Sequence, residues 1–291
     1  MANETDTGTM LGSFFAIWAD TNIVQALIPH NVSRPFFRNA SKQPSLVYQW
    51  HVQDDEGPAT AAGSITTLDE AGSGLSNTAI SSTTVAATAA VAGMMTTLSD
   101  EEAAIAPQSP GQVIKVLGDA LGERVETDMT ALYAGFTNST GVSGSDATIA
   151  QLLEAKIALT NRDVSGNIVA VVHPQQAGDL EVDLATTGAS LYGGSNAGAG
   201  GLDATGLSGY VASPHGIPVY RTSTVPTANS GADRAGGVFE VNNALGIYEV
   251  WGARIRTERD ESGPGEEYVG TVCFGVAEIH DDRGQEFTTD A

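Results

Sequence analysis

The chain has 291 residues, 41% of them hydrophobic, enough to bury a substantial core and too many for wholesale disorder. Its 35 acids against 13 Lys and Arg leave a formal charge of -22, which excludes a protein whose surface as a whole grips nucleic-acid phosphates. No apolar run approaches the ~20 residues needed to cross a bilayer, and the opening MANETDTGTM lacks the basic flank and apolar core of a secretion signal.

Residues 1–45 read as an arm. Phe14, Ile17 and Trp18 have helical spacing, but Pro29 and Pro35 forbid a long helix, so the arm's aromatics must bury themselves on something else. From Thr21 to Gln53 there is no acid, while Arg34, Arg38 and Lys42 stand four apart; this is either chance in a Lys-poor chain or a basic arm lying across an acidic neighbour. In SLVYQWHVQ, Leu46, Tyr48, Trp50 and Val52 alternate with more polar residues, as in a half-buried strand. The turn-rich, acidic DDEGPATAAGSITTLDEAGSGLSN follows. In AISSTTVAATAAVAGMM, Val85, Ala87, Ala89 and Val91 then keep period two. Two strands around a long polar excursion predict an extended hairpin.

The pattern next becomes helical. SDEEAAIAP predicts a short helix capped by Ser99, with three acids at the positive end of its dipole. Val113, Leu117, Leu121, Val125, Met129, Leu132 and Phe136 then form one stripe at three- and four-residue steps, a helix roughly 40 Å long that should lie along a sheet. SDATIAQLLEAKIAL predicts a second amphipathic helix, started by Ser145, Asp146 and Thr148, with Ile149, Leu152, Leu153, Ile157 and Leu159 inward. NRDVSGN is a turn and IVAVV a buried strand. Pro174 fits the first position of a further helix with Leu180 and Leu184 inward. Residues 185–210 are glycine-rich loop. GIPVYRTSTVP suggests a short edge strand, and the chain closes with two long strands, LGIYEVWGARIRTER and EYVGTVCFGVAEIHDD, joined by DESGPGEE. The sole cysteine, Cys273, forms no internal disulfide and reads as a small buried hydrophobe.

Catalytic signatures are missing. His30, His51, His173, His215 and His280 include no closely spaced pair, and there is no nucleophile elbow, phosphate loop or complete dinucleotide fingerprint. The doublets Asp54–Asp55 and Asp281–Asp282 lack a calcium-ligand ladder and read as solvated loop charge. His173, at the mouth of a buried strand, could be a base, but the sequence nominates no nucleophile or orienting carboxylate. Its ring is read instead as capping the strand or accepting a bond from the helix that follows.

The order of these elements resembles the major capsid protein of tailed bacteriophages (Caudoviricetes), a fold shared with encapsulins. The most specific piece is DATIAQLLEAKIALTNRDVSGNIVAVVHPQQAGDL. GIPVYRTSTVP and the terminal strand pair add to it. The resemblance implies an α+β fold with an N-terminal arm (1–45), an extended hairpin loop (46–98), a peripheral domain with a long spine helix (99–144) and an axial domain (145–246). The remaining 247–291 would return through the peripheral domain and end on a final axial strand. It implies a shell protein and no enzyme, with no cofactor and no metal, assembling with itself as pentamers and hexamers into an icosahedral virion capsid around double-stranded DNA, in the host cytoplasm. Portal and decoration proteins, and a scaffolding protein supplied separately or absent, would be its other partners; no membrane is involved. Of its lysines, Lys42, Lys115 and Lys156, none falls in 46–98, so crosslinking through a hairpin lysine is not expected. An encapsulin-like compartment, or a virion accessory or adhesion protein, would be the alternatives. Candidate subunit contacts are Phe14, Phe15, Trp18, Arg34, Phe36, Phe37 and Arg38 of the arm with Tyr48 and Trp50 of the loop. Deleting residues 1–45 is expected to leave a soluble chain that does not close shells.

Overall fold

The computed structural model describes residues 4–5, 32–40, 43, 45–53, 82–105, 109–187, 209–260 and 263–290. In chain order these form β1 (Glu4–Thr5), β2 (Arg38–Asn39), β3 (Val47–Gln53), β4 (Ser82–Thr88), β5 (Ala90–Ser99), α1 (Asp100–Ile105) and α2 (Ser109–Thr130). β6 (Ser139–Thr140), α3 (Ile149–Asn161), β7 (Ile168–Val172) and α4 (Pro174–Thr187) follow. Last come β8 (Tyr210–Ala212), β9 (Val219–Arg221), β10 (Thr227–Ala228), β11 (Asp233–Glu240), β12 (Leu245–Asp260), β13 (Gly265–Glu278) and β14 (Gly284–Asp290).

Local chemistry sets the helix starts. The Ser99 hydroxyl accepts from the Glu102 N–H at 3.2 Å, which caps α1. Thr148 closes a capping box on α3: its hydroxyl accepts from the Gln151 N–H at 3.3 Å, and the Gln151 side chain accepts from the Thr148 N–H at 2.9 Å. α4 begins at Pro174, whose missing N–H costs nothing at a helix start. α2 spans 22 residues, about 33 Å at 1.5 Å per residue, and passes into a tight 3-10 turn over Ala131–Gly135.

Two sheets carry the chain. In the five-stranded sheet β5, β13 and β12 are antiparallel neighbours, with β1 and β2 as two-residue additions at its edges. α2 lies along one face of it: Val113 and Leu117 pack with Leu98 and Tyr268. In the other sheet β14, β11, β7 and β9 run side by side, with β6, β8 and β10 attached. α3 and α4 cover it, burying Leu152, Ala155, Leu159, Ala177 and Leu180 against Ala170, Val172, Val219, Val238 and Phe287. β3 and β4 form a two-stranded antiparallel pair, the described base of the predicted hairpin; residues 54–81 lie outside the described residues.

Three expectations need correction. GIPVYRTSTVP gives an interior strand, since β9 runs between parallel β7 and antiparallel β8. Its proline does not interrupt the ladder because Pro218 precedes the strand and its carbonyl accepts from the Ala170 N–H at 3.0 Å. Ile157 is 49% exposed, because residues 149, 152, 155 and 159 already occupy the inner side of α3 and Ala155 takes the contact. Leu46 and Val91 are also exposed, where the two period-two runs extend past their cover. Residues 188–208 of the glycine-rich loop lie outside the described residues.

Candidate assembly surface

The five-stranded sheet has unequal faces. Tyr268, Val272, Phe274 and Ile255 turn toward α2. On the opposite face, Trp50, Val52, Ala87 and Ala89 of the hairpin base cover Tyr248, Cys273, Ala277 and Ile279. Beyond that base the described residues leave the sheet open. Strand alternation brings Val91, Met95, Val269, Arg254 and Arg256 together there, in the registers Met95↔Val269 and Val269↔Arg256. Val91 and Met95 are exposed. The Arg254 guanidinium lies 4.2 Å from the centre of the Trp251 ring at the border of the covered part. A ten-residue strand with one buried side chain, Leu98 of β5, belongs either to solvent or to a partner.

The predicted contact residues divide. Phe14, Phe15 and Trp18 lie outside the described residues. Phe36 and Phe37, expected to be covered by sister copies, are buried in their own chain; Phe36 meets the Tyr220 ring at 4.7 Å and Phe37 the Phe239 ring at 6.2 Å. The physical reason is that Asn242 N–H bonds the Phe36 carbonyl at 2.8 Å and β2 joins β12, which draws this part of the arm into the joint between the sheets. Arg34 is bonded to Glu249 of β12, so the acidic neighbour of this basic residue lies within the chain. Arg38 is exposed. Trp50 is buried, and Tyr48 is half-buried between Trp50 and Tyr248, at ring distances of 4.9 and 5.3 Å.

The joint between the sheets holds polar groups that sequence reading did not find. Glu126 of α2 is fully buried. Its Oε1 accepts from the Ser33 N–H at 2.9 Å and the Ser33 hydroxyl at 2.6 Å, and the Tyr133 hydroxyl donates to Ser33 Oγ at 2.8 Å. Burial lifts the Glu126 carboxyl to about 7 against the pull of the Ser33 bonds. At the end of β13, burial together with the bond to Asp281 and that residue's charge lifts Glu278 to about 7. Nothing in the sequence signals either, since their partners lie far away along the chain or need the fold to meet them.

His173 has a structural partner. Its Nδ1 accepts from the Gln175 N–H at 3.3 Å in the first turn of α4, while its own N–H donates to Gln176 Oε1 at 3.0 Å. Burial and the Arg234 charge hold its imidazole below the usual value. Cys273 is buried and free, as a small hydrophobe of the sheet, with burial pushing its thiol up. Among the described residues, no three His, Cys, Asp or Glu side chains gather as a metal site, and no helix is long and apolar enough to cross a membrane.

No protein-family model matches the sequence, and no curated protein matches it. Solved structures do, over nearly the whole chain. A capsid chain of the cyanophage P-SCSP1u is 13% identical, with a TM-score of 0.66 over 92% of this chain and 91% of that one. The fold is that of tailed-phage capsid proteins and encapsulins. The capsid of a native GTA particle superposes at a TM-score of 0.67, with 11% identity and 94% of each chain covered. The SrpI encapsulin of Synechococcus elongatus gives 0.64 at 12% identity, covering 96% of this chain and 95% of that one. Within this capsid fold, α2 is the long helix along the sheet.

Proposed function

We propose that this chain is a shell subunit, many copies of which close into an icosahedral virion capsid. The observation that carries this reading is the end-to-end likeness of the fold to capsid and encapsulin chains. The open face of the five-stranded sheet supports it, because apolar side chains such as Val91 and Met95 gain by being covered. Residues 1–45 then act as the arm and 46–98 as the extended hairpin. Residues 99–144 form the peripheral domain, 145–246 the axial domain, and 247–291 the return. The pairing of β14 with β11 supports a final strand in the axial part. Phe14, Phe15, Trp18, Arg38 and Tyr48 remain the proposed contacts between copies, as pentamers and hexamers.

Double-stranded DNA is the proposed content, packed by a separate motor through a portal, since an acidic wall need not bind the genome. A scaffolding protein and decoration proteins would be further partners, with assembly in the host cytoplasm. An encapsulin-like compartment is the second reading, favoured by the match to the SrpI encapsulin over 96% of the chain. Particles purified from the native source separate the two. Nuclease-resistant double-stranded DNA is expected inside; a folded enzyme cargo with no DNA would favour the compartment, and the absence of particles would contradict both.

A further inference from the structure

We propose that the arm segment Ser33–Phe37 is a proton-linked latch, which seats in the joint between the two sheets more firmly when Glu126 carries a proton. The geometry comes first. Glu126 lies on α2, whose Leu121, Val125 and Met129 belong to the core shared by the two sheets, and has no solvent contact. Only one of its oxygens is served: Oε1 takes both Ser33 bonds, while Oε2 is buried without a hydrogen-bond partner. Ser33 is itself fully buried and is held from beneath by Tyr133. The segment that contacts the carboxyl is therefore also the lid that takes it out of water.

Among the described residues no cation forms an ion pair with Glu126, so a carboxylate in that position would be a buried, unpaired charge. The arm's Arg34 is engaged by Glu249. On α2, Arg124 pairs with Asp128. Of the charged ends of β11, Glu240 is taken by Arg283, and Asp233 is bonded by Ser143 and Asn229. Glu278, at the end of β13, is bonded to Asp281. Tyr133 is the titratable neighbour that feels Glu126, and the carboxylate pushes its hydroxyl further toward the neutral form. Placing the proton on Oε2 leaves one O–H unmet, which costs less than an unpaired buried charge. When the latch lifts, water reaches the carboxyl, which falls back toward its ordinary value of 4.5 and returns the proton to solvent.

Seating is strongest below about 4.5, weakens as pH rises toward about 7, and is level above that. Amide hydrogen exchange of the full chain, corrected for the intrinsic pH dependence, reads it directly, whether or not the chain assembles. Protection of the Ser33, Phe36, Phe37 and Asn242 amides is expected to fall by about 40-fold in all from pH 5 to 7 and to level off by pH 8. Glu126→Gln should flatten that profile, and Glu278→Gln should leave the slope in place. Should Glu126→Gln not fold, the wild-type and Glu278→Gln profiles decide. Wild-type protection without the slope, a slope that survives in Glu126→Gln, or one abolished by Glu278→Gln would each overturn the latch.

Discussion

A single hydroxyl fixes where α3 begins. Thr148 satisfies the Gln151 N–H while Gln151 returns the bond, so Thr148→Ala should cost about 1 kcal/mol in chemical denaturation. The sequence marked that start by Ser145, Asp146 and Thr148 without choosing among them, while Ser99, Pro174 and the structural bond to His173 were legible because each acts within three residues along the chain. Gln176 was not. Its amide, fully buried, donates to the Thr289 hydroxyl at 2.8 Å and to the Phe287 and Arg234 carbonyls at 3.2 and 3.1 Å, across 58 to 113 residues of chain. Gln176→Ala removes those bonds together with the one Gln176 Oε1 accepts from the His173 N–H, and should destabilise by about 1–3 kcal/mol. Glu278 gives a pH test at the same scale. Its carboxyl is lifted to about 7 in the folded chain, so its contribution is complete below the ordinary value of 4.5 and is lost as pH rises through about 7. Melting curves should show wild type losing stability across that window and Glu278→Gln losing less.

At the scale of elements, the stripe on α2 was readable because apolar positions repeat at helical steps, and Val113, Leu117, Leu121, Val125 and Met129 are indeed buried. The helix is shorter than expected, ending at Thr130, so Leu132 falls on the tighter turn beyond it and Phe136 just past that turn. Leu117→Ala at the centre of the contact with β13 should cost about 2–5 kcal/mol. The run from β4 into β5 shows where periodicity runs out. Val85, Ala87, Ala89 and Val91 look equivalent in the sequence, yet Ala87 and Ala89 are buried where the hairpin base meets the five-stranded sheet while Val91 is 58% exposed. A period of two tells which side chains share a face and is silent about what covers it. The tight approach of β14 to Phe136, just past the turn that follows α2, was equally silent. A Cβ on Gly284 would overlap the Phe136 ring, at 1.9 Å from its Cε1, so Gly284→Ala should destabilise the chain by about 1–3 kcal/mol or more, measured by denaturant midpoint.

For the whole molecule, the boundary of the arm matters most. A deletion of residues 1–45 removes Val32, Phe36 and Phe37 from the core, so that truncated chain should unfold, and its failure to assemble would say nothing about contacts between copies. Removing residues 1–31 leaves Val32 and the Ser33 contact with Glu126 in place. That chain should keep its fold by circular dichroism while closing fewer shells. The two-layer core and the order of elements were legible because they follow the chain. The joint was not, because it is assembled from the arm, α2, β7, β11 and β12 at once. Electron microscopy of the purified full-length chain tests the central claim most directly. The account predicts closed, roughly isometric shells. A uniform 29.9 kDa monomer that stays dispersed at concentrations and ionic strengths that screen its charge would contradict it.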